Sequence, residues 1–298
     1  MRHELVICTR NRADDTRQCL ISVAGQSALP DRVLVVDSSD TDATRRVTEA
    51  FRGRSGFAVE FVEAPPGLTM QRNVALDCLD ESTDVVHFVD DDTILDPGYL
   101  HEILAAFETH PEAAGVGGRI SNLPEHAPRW YRRAFLLDSR REGVLLPSGV
   151  NVLSFTGERP RRVDWFSGCA MSYRCRSIAG MRFDESRTGG GMGEDVDFSA
   201  RVAARAQLVW TPRAAVEHRL SSVNREDPGM VLRRMIRHRW RLASDGVGRV
   251  NRAAVLYAIA GEVFVSLVLA AFHRSGHYAR LAVASVAGAA DIIRGVPV

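Results

Sequence analysis

The chain has 298 residues, and its 38 basic side chains nearly balance 37 acidic ones for a formal net charge of +1. That length suits one large α/β domain, with or without a C-terminal appendage. The charge balance excludes a general nucleic-acid binder and leaves only local patches of either sign. In chain order, "ELVICT" (Glu4–Thr9) is predicted as a buried strand and "DDTRQCLISVAGQ" (Asp14–Gln26) as a helix with apolar residues at helical spacing. "RVLVVDSS" (Arg32–Ser39) is a second strand ending in a polar turn, and "TDATRRVTEAF" (Thr41–Phe51) a second helix. "FAVEFVEA" (Phe57–Ala64) alternates as a third strand. A turn at Pro65-Pro66-Gly67 opens a third helix, "DVVHFVD" (Asp84–Asp90) is a fourth strand, and a helix over Pro97–His110 precedes a fifth strand at Ala113–Ile120. Strands alternating with helices imply a mostly parallel sheet covered on both faces.

Residues 121–162 break this rhythm with Pro, Arg and Gly, and are expected to run over the sheet as an excursion. "VDWFSGCAMSYR" (Val163–Arg174) returns to a strand pattern with a kink at Gly168. The Gly-rich turn "RTGGGMGED" (Arg187–Asp195) then opens a helix, and Gln207–Leu220 supplies one or two short strands ending at His218. Helical patterns follow at Asp227–Gly246, Ala253–Phe272 and Ala279–Ile293. The five cysteines, Cys8, Cys19, Cys78, Cys169 and Cys175, are scattered without a CxxC pair. They support neither a disulfide framework nor a zinc site, and read as core thiols in a reducing cytoplasm. The N-terminus enters a strand pattern at once, so no secretory signal is expected.

Chemistry concentrates where "VVHFVDDDTILDPGYL" sets Asp90, Asp91 and Asp92 directly after an apolar strand. Ligands of open parallel sheets bind at the carboxyl ends of the strands. Clustered carboxylates there suit a hard divalent cation, Mg²⁺ or Mn²⁺, which relieves their mutual repulsion. The competing reading is a helix cap, with Asp92 or Asp96 capping the helix that starts at Pro97. Asp96 alone would meet that need and leave the triplet unexplained.

Six motifs in order then resemble the GT-A nucleotide-sugar glycosyltransferases of glycosyltransferase family 2, over roughly residues 3–220. They are "VICTRNR", "VVDSSDTDAT", "PPGLTMQRN", "VHFVDDDTILDPGYL", "FSGCAMSYR" and "GMGEDVDFSARV". The resemblance implies a Rossmann-like GT-A domain over 1–222, with a nucleotide-binding half to about 120 and an acceptor-binding half over 121–222. Residues 223–298 would form a C-terminal helical extension. The implied activity is inverting, metal-dependent transfer of a sugar from a nucleoside-diphosphate donor, uridine or thymidine diphosphate favoured, to a hydroxyl of a glycan, glycolipid or lipid-linked acceptor. It is expected in cell-surface polysaccharide synthesis, in the cytoplasm or on the inner face of the membrane.

The same resemblance assigns roles. Thr9, Arg10 and Arg12 would line the nucleotide site, and Asp37 would accept a hydrogen bond from the base or else serve as a turn aspartate. Arg72 would meet the diphosphate or the base, or else be an exposed helix arginine. Asp90 would face ribose or sugar, Asp91 the donor sugar or the loop, and Asp92 with His218 would hold Mn²⁺ or Mg²⁺. Asp195, preceded by Glu194, would be the general base, with helix capping by either acid as the alternative. Trp165, Gly168 and Gly193 would border the sugar and acceptor pocket.

Processive members carry Gln-x-x-Arg-Trp; this chain keeps Arg239-Trp240 after Arg237-His238 but lacks the Gln, so processive synthesis is not expected. Ala253–Phe272 is long enough to span a bilayer, but Glu262 sits near its centre. Packing on the domain or in a homodimer, a peripheral membrane contact through 228–298, and a true span all stay open. Two other functions also stay open: a sugar-nucleotide nucleotidyltransferase, disfavoured because "CTRNRADD" has no glycine, and a non-catalytic nucleotide-sugar scaffold.

Overall fold

The computed structural model describes residues 1–53, 56–124, 127–152, 157–187, 193–219 and 227–296. Four strands form a parallel block in the spatial order β3-β2-β1-β4: β1 (His3–Thr9), β2 (Arg32–Asp37), β3 (Ala58–Glu63) and β4 (Val85–Asp90). Every residue of β1 is buried, including Glu4, as a parallel strand covered on both faces requires. The buried Glu4 carboxylate is held by Arg32 at 2.8 Å and by the Thr83 hydroxyl at 2.7 Å. The connecting helices are α1 (Ala13–Ala24), α2 (Ala43–Phe51), α3 (Leu68–Cys78) and α4 (Tyr99–Thr109).

The other side of the sheet is mixed. It is built from β5 (Thr93–Leu95), β6 (Ala113–Ile120), β7 (Arg161–Val163), β8 (Met171–Arg174) and β9 (Gln207–His218). β8 runs antiparallel between β4 and β6, β6 is parallel to β9, and β9 carries β5 and β7 antiparallel. The strand expected over 163–174 is thus divided, and the segment expected to hold one or two short strands is a single strand of 12 residues. The three-residue β5 was not foreseen, because it is too short to show a period. β6 carries its glycines for space: a Cβ on Gly117 would lie 2.4 Å from the Phe166 ring. The helix after the acidic triplet starts at Tyr99 with Gly98 as N-cap and no side-chain cap, so neither Asp92 nor Asp96 performs the capping expected of it.

Contacts divide the chain into two compact units, 1–124 with 155–221 and 125–154 with 222–298. The first also contains α6 (Glu194–Ala203). The excursion expected to lie over the sheet therefore groups, over 125–154, with the C-terminal helices. Its apolar residues explain this, since Leu137 and Val150 share a small core with Ala258. The second unit comprises α5 (Trp130–Ala134), α7 (Pro228–Ser244), α8 (Arg252–His273) and α9 (Gly276–Ile293). Asp227 caps α7 by accepting the Gly229 and Met230 N–H groups, with Pro228 at the first helical position. Arg233 and Arg237 on α7 both pair with the buried Asp291 carboxylate of α9.

Candidate active site

Strand register collects the polar residues at one edge of the parallel block. Thr9 pairs with Asp37 and Cys8 with Asp90, so the ends of β1, β2 and β4 lie side by side. Asp91 turns inward: its two oxygens accept from the Thr9 hydroxyl at 2.7 Å and the Arg12 guanidinium at 3.0 Å. It therefore orients the loop. Burial pushes its carboxyl up to about 7, against the opposing pull of Arg12 and Thr9, and the charges of Asp92 and Asp90 push it the same way. Arg12 also reaches within 3.7 Å of Asp92.

Asp90 and Asp92 face His218, whose Nε2 lies 3.8 Å and 3.0 Å from their carboxylates. Antiparallel pairing brings this distant residue in, since His218 sits opposite Thr93 and the Arg219 N–H donates to the Asp92 carbonyl at 2.9 Å. Ligand atoms of Asp90, Asp92 and His218 all lie within 4.8 Å of one another. Two carboxylates and one imidazole form a donor set that fits Mn²⁺ or Mg²⁺. Burial lowers the His218 pKa, but the hydrogen bond to Asp92, contact with Cys169 and the charge of Asp90 outweigh it and hold the imidazole proton up to about 11. A coordinated cation displaces such a proton.

Arg72 joins this acidic cluster to the second one. It is 2 % exposed, which excludes the exposed-helix reading. Its guanidinium donates to Glu194 at 2.6 Å, to Asp90 at 3.2 Å and to the Gly168 carbonyl at 3.4 Å. Asp195, largely buried beside Glu194, accepts the Gly168 N–H at 2.9 Å and the Val196 N–H at 2.7 Å. It thus satisfies one N–H of the first turn of α6 and remains partly exposed. Burial raises its pKa above the ordinary carboxylate range, against the pull of Arg72 and the two N–H groups. A Cβ on Gly168 would lie 2.7 Å from the Arg72 guanidinium, so this bridge needs glycine. Gly193 is the left-handed N-cap of α6, whereas the Gly-rich turn at 188–192 lies outside the described residues. Trp165 is 2 % exposed and packs inside the unit. Asp37 is buried and accepts from the Ser39 N–H and hydroxyl, while Arg10 lies exposed at the rim, 3.7 Å from Asp40.

A sequence profile for Glycosyl transferase family 2 matches residues 4–180. The chain belongs to glycosyl transferase family 2. Among its relatives, the succinoglycan biosynthesis protein ExoM of Rhizobium meliloti (strain 1021) is 25 % identical over 218 residues, 72 % of this chain and 65 % of that protein. The glucosyl-dolichyl phosphate glucuronosyltransferase of Haloferax volcanii is 23 % identical over 135 residues, 45 % of this chain and 41 % of the relative. The match thus spans less than two thirds of either relative. The mannosyltransferase PcManGT from Pyrobaculum calidifontis, solved with GDP-Man and Mn²⁺, superposes with a TM-score of 0.62 at 15 % identity over 99 % of this chain and 88 % of its own. S. aureus TarS 1-349 with UDP gives 0.53 at 18 % identity, over 93 % and 73 %. The fold is GT-A.

This family 2 protein also uses residues that the sequence reading passed over. Gln71 donates to the Thr9 and Val36 carbonyls at 2.8 and 2.9 Å, tying α3 to the ends of two strands. Asn73 fixes Phe183 by accepting its N–H at 2.8 Å and donating to its carbonyl at 3.0 Å. Asn122 brackets the backbone of His218, donating to its carbonyl at 2.7 Å and accepting its N–H at 3.1 Å. Gln71 and Asn73 lie within the quoted "PPGLTMQRN" motif, whereas Asn122 gave no local signal. Arg72→Met is expected to destabilise the glycosyltransferase fold by ~3–5 kcal/mol, because Glu194 loses its buried counter-charge. Denaturant unfolding of the two proteins checks this, and an unchanged midpoint would contradict the bridging role.

Proposed function

We propose that this protein is an inverting glycosyltransferase that moves a sugar from a nucleoside diphosphate, uridine or thymidine diphosphate favoured, to a hydroxyl of a glycan, glycolipid or lipid-linked acceptor. The observation that carries the reading is the joining of two acidic clusters, Asp90–Asp92–His218 and Glu194–Asp195, through the buried Arg72. Thr9, Arg10, Arg12 and Asp37 are assigned to the nucleotide, at the strand ends where such sheets bind ligands. Asp90, Asp92 and His218 would hold a divalent cation, which when bound supplies Lewis-acid stabilisation of the departing diphosphate. Asp195 takes the proton from the acceptor hydroxyl as its oxygen attacks the anomeric carbon. Its raised pKa strengthens it as a base, and the Gly168 and Val196 N–H groups fix its carboxylate. Glu194 and Arg72 position it, and Gly168 and Gly193 border the acceptor side.

The relatives support this assignment in class. PcManGT was solved with GDP-Man and Mn²⁺ and TarS with UDP, while ExoM is named for succinoglycan biosynthesis. Assembly of a surface polysaccharide at the cytoplasmic face of a membrane is the setting that fits.

A thermal-shift screen of nucleoside diphosphates, with and without Mn²⁺, tests the reading. Uridine or thymidine diphosphate with Mn²⁺ is expected to stabilise the protein, by about 2.7 kcal/mol at a hundredfold excess over Kd. Stabilisation by guanosine diphosphate alone would reassign the base. Shifts that are equal with and without Mn²⁺ would remove the metal role, and no shift with any nucleotide would remove the donor site.

A further inference from the structure

The helical unit contains a cavity of about 490 Å³ that the chemistry above does not use. Three arginines line it, Arg129, Arg132 and Arg239, together with apolar Leu137, Val152 and Met235. Arg239 is 4 % exposed, yet its Nε and Nη1 find no hydrogen-bond partner among the described residues. Its nearest carboxylate, on Glu262, is 3.9 Å away and is shared with Arg132 at 3.5 Å. Asp138 also lines the cavity, but it accepts the backbone N–H groups of Arg129 and Ser139 at 2.9 and 2.7 Å. Burial lowers the Arg239 pKa, Glu262 opposes that, and Arg132 adds to it, so the guanidinium is under-compensated. A buried cation with unfilled donors at a cavity wall calls for an anion.

The surroundings of the cavity are greasy. α5, which carries Arg132, lies against α8, where the Tyr257 hydroxyl donates to the Ala134 carbonyl at 2.9 Å. Phe135 sits 5.7 Å from the rings of both Tyr257 and Phe264. Those two residues begin an exposed apolar stripe at helical spacing that continues through Leu267, Val268 and Phe272, the last 81 % exposed. Trp130, next to the cavity's Arg129, is 77 % exposed. An apolar stripe beside α5, the helix that lends Arg132 to the cavity, matches an amphiphile with an anionic head.

We propose that the cavity binds the phosphate of a lipid whose chain lies along the exposed face of α8. Arginine forks suit phosphate, which offers several acceptor oxygens to the three guanidinia. If transfer runs to a lipid-linked acceptor, as proposed above, this lipid is its carrier; the binding itself does not depend on that reading.

Titration of the full chain with decyl phosphate, decyl maltoside and inorganic phosphate, followed by calorimetry, tests the site. Decyl phosphate is expected to bind at least about tenfold more tightly than either of the others. Arg239→Gln should lower its affinity about tenfold or more without changing decyl maltoside binding. Arg132→Gln, at a half-exposed residue, should do the same and covers the case in which the buried substitution fails to fold. Phe264→Ser should weaken decyl phosphate but not inorganic phosphate. Equal binding of inorganic phosphate would make this a free-anion site, and equal binding of decyl maltoside a merely apolar face. Either result, or unaffected arginine variants, overturns the proposal. No arm uses nucleotide or sugar transfer, so failure here is distinct from failure of the donor site.

Discussion

Asp195→Asn is expected to bind the donor with unchanged affinity and to transfer sugar about 10²–10⁴-fold more slowly. The substitution keeps the size of the side chain and one carbonyl oxygen. The two N–H groups that fix it, Gly168 and Val196, approach different oxygens, so one of these bonds is kept and the other is exposed to an NH₂ group. Loss of proton-accepting capacity is therefore the dominant change, with a small loss of helix-end stabilisation. Separate measurements of nucleotide binding and of single-turnover transfer split the two effects. Unchanged transfer by the variant would remove the base assignment. A parallel loss of nucleotide binding would show instead that Arg72 had lost its alignment between the clusters.

Asp92→Asn and His218→Ala are each expected to lower Mn²⁺ affinity at least about tenfold and to cut donor turnover by about 10² or more. The reasoning is electrostatic. Asp90 and Asp92 concentrate negative charge beside a partly buried imidazole, and each substitution removes one of three converging donor groups. Far-ultraviolet circular dichroism should be unchanged, since Asp92 lies in the turn between β4 and β5 and His218 is the last residue of β9. Direct metal titration is the deciding measurement. Activity that persists in chelator, or metal affinity that both variants retain, would defeat the metal role. Because His218 carries a proton when no cation is bound, its removal also predicts that the pH dependence of Mn²⁺ affinity flattens in His218→Ala.

The parallel block was legible in the sequence because burial on both faces leaves unbroken apolar runs, as in β1 and β2. The acidic triplet was legible as a site because three adjacent carboxylates are electrostatically costly without a partner. Which of the three faces outward was not, since Asp91 is diverted by Thr9 and Arg12, residues some 80 positions away along the chain. Arg72 shows the same limit: the sequence leaves it between a diphosphate contact and an exposed helix arginine until the fold delivers Glu194 and Asp90 to it. The grouping of 125–154 with the C-terminal helices was hidden for a related reason. Its contacts are with residues about a hundred positions later, and its composition of Pro, Arg and Gly carries no period. Local pattern reports local structure, whereas both the bridge and the helical unit are built from distant pairs.

The pairing of β5 with β9 has a consequence for how the site can be broken. Asp92 and His218 are brought together beside a three-residue antiparallel ladder, with the Arg219 N–H on the Asp92 carbonyl and Asn122 clamping the histidine backbone. Strand side chains alternate between faces, so one extra residue between Glu217 and His218 would turn the imidazole away from the acids while leaving the upstream pairs Ile94–Glu217 and Leu95–Val216 in place. One residue inserted into β9 ahead of His218 should therefore act as a silent lesion, giving a folded protein that is blind to Mn²⁺. Metal affinity becomes, in effect, a gauge of alignment at the far edge of the sheet.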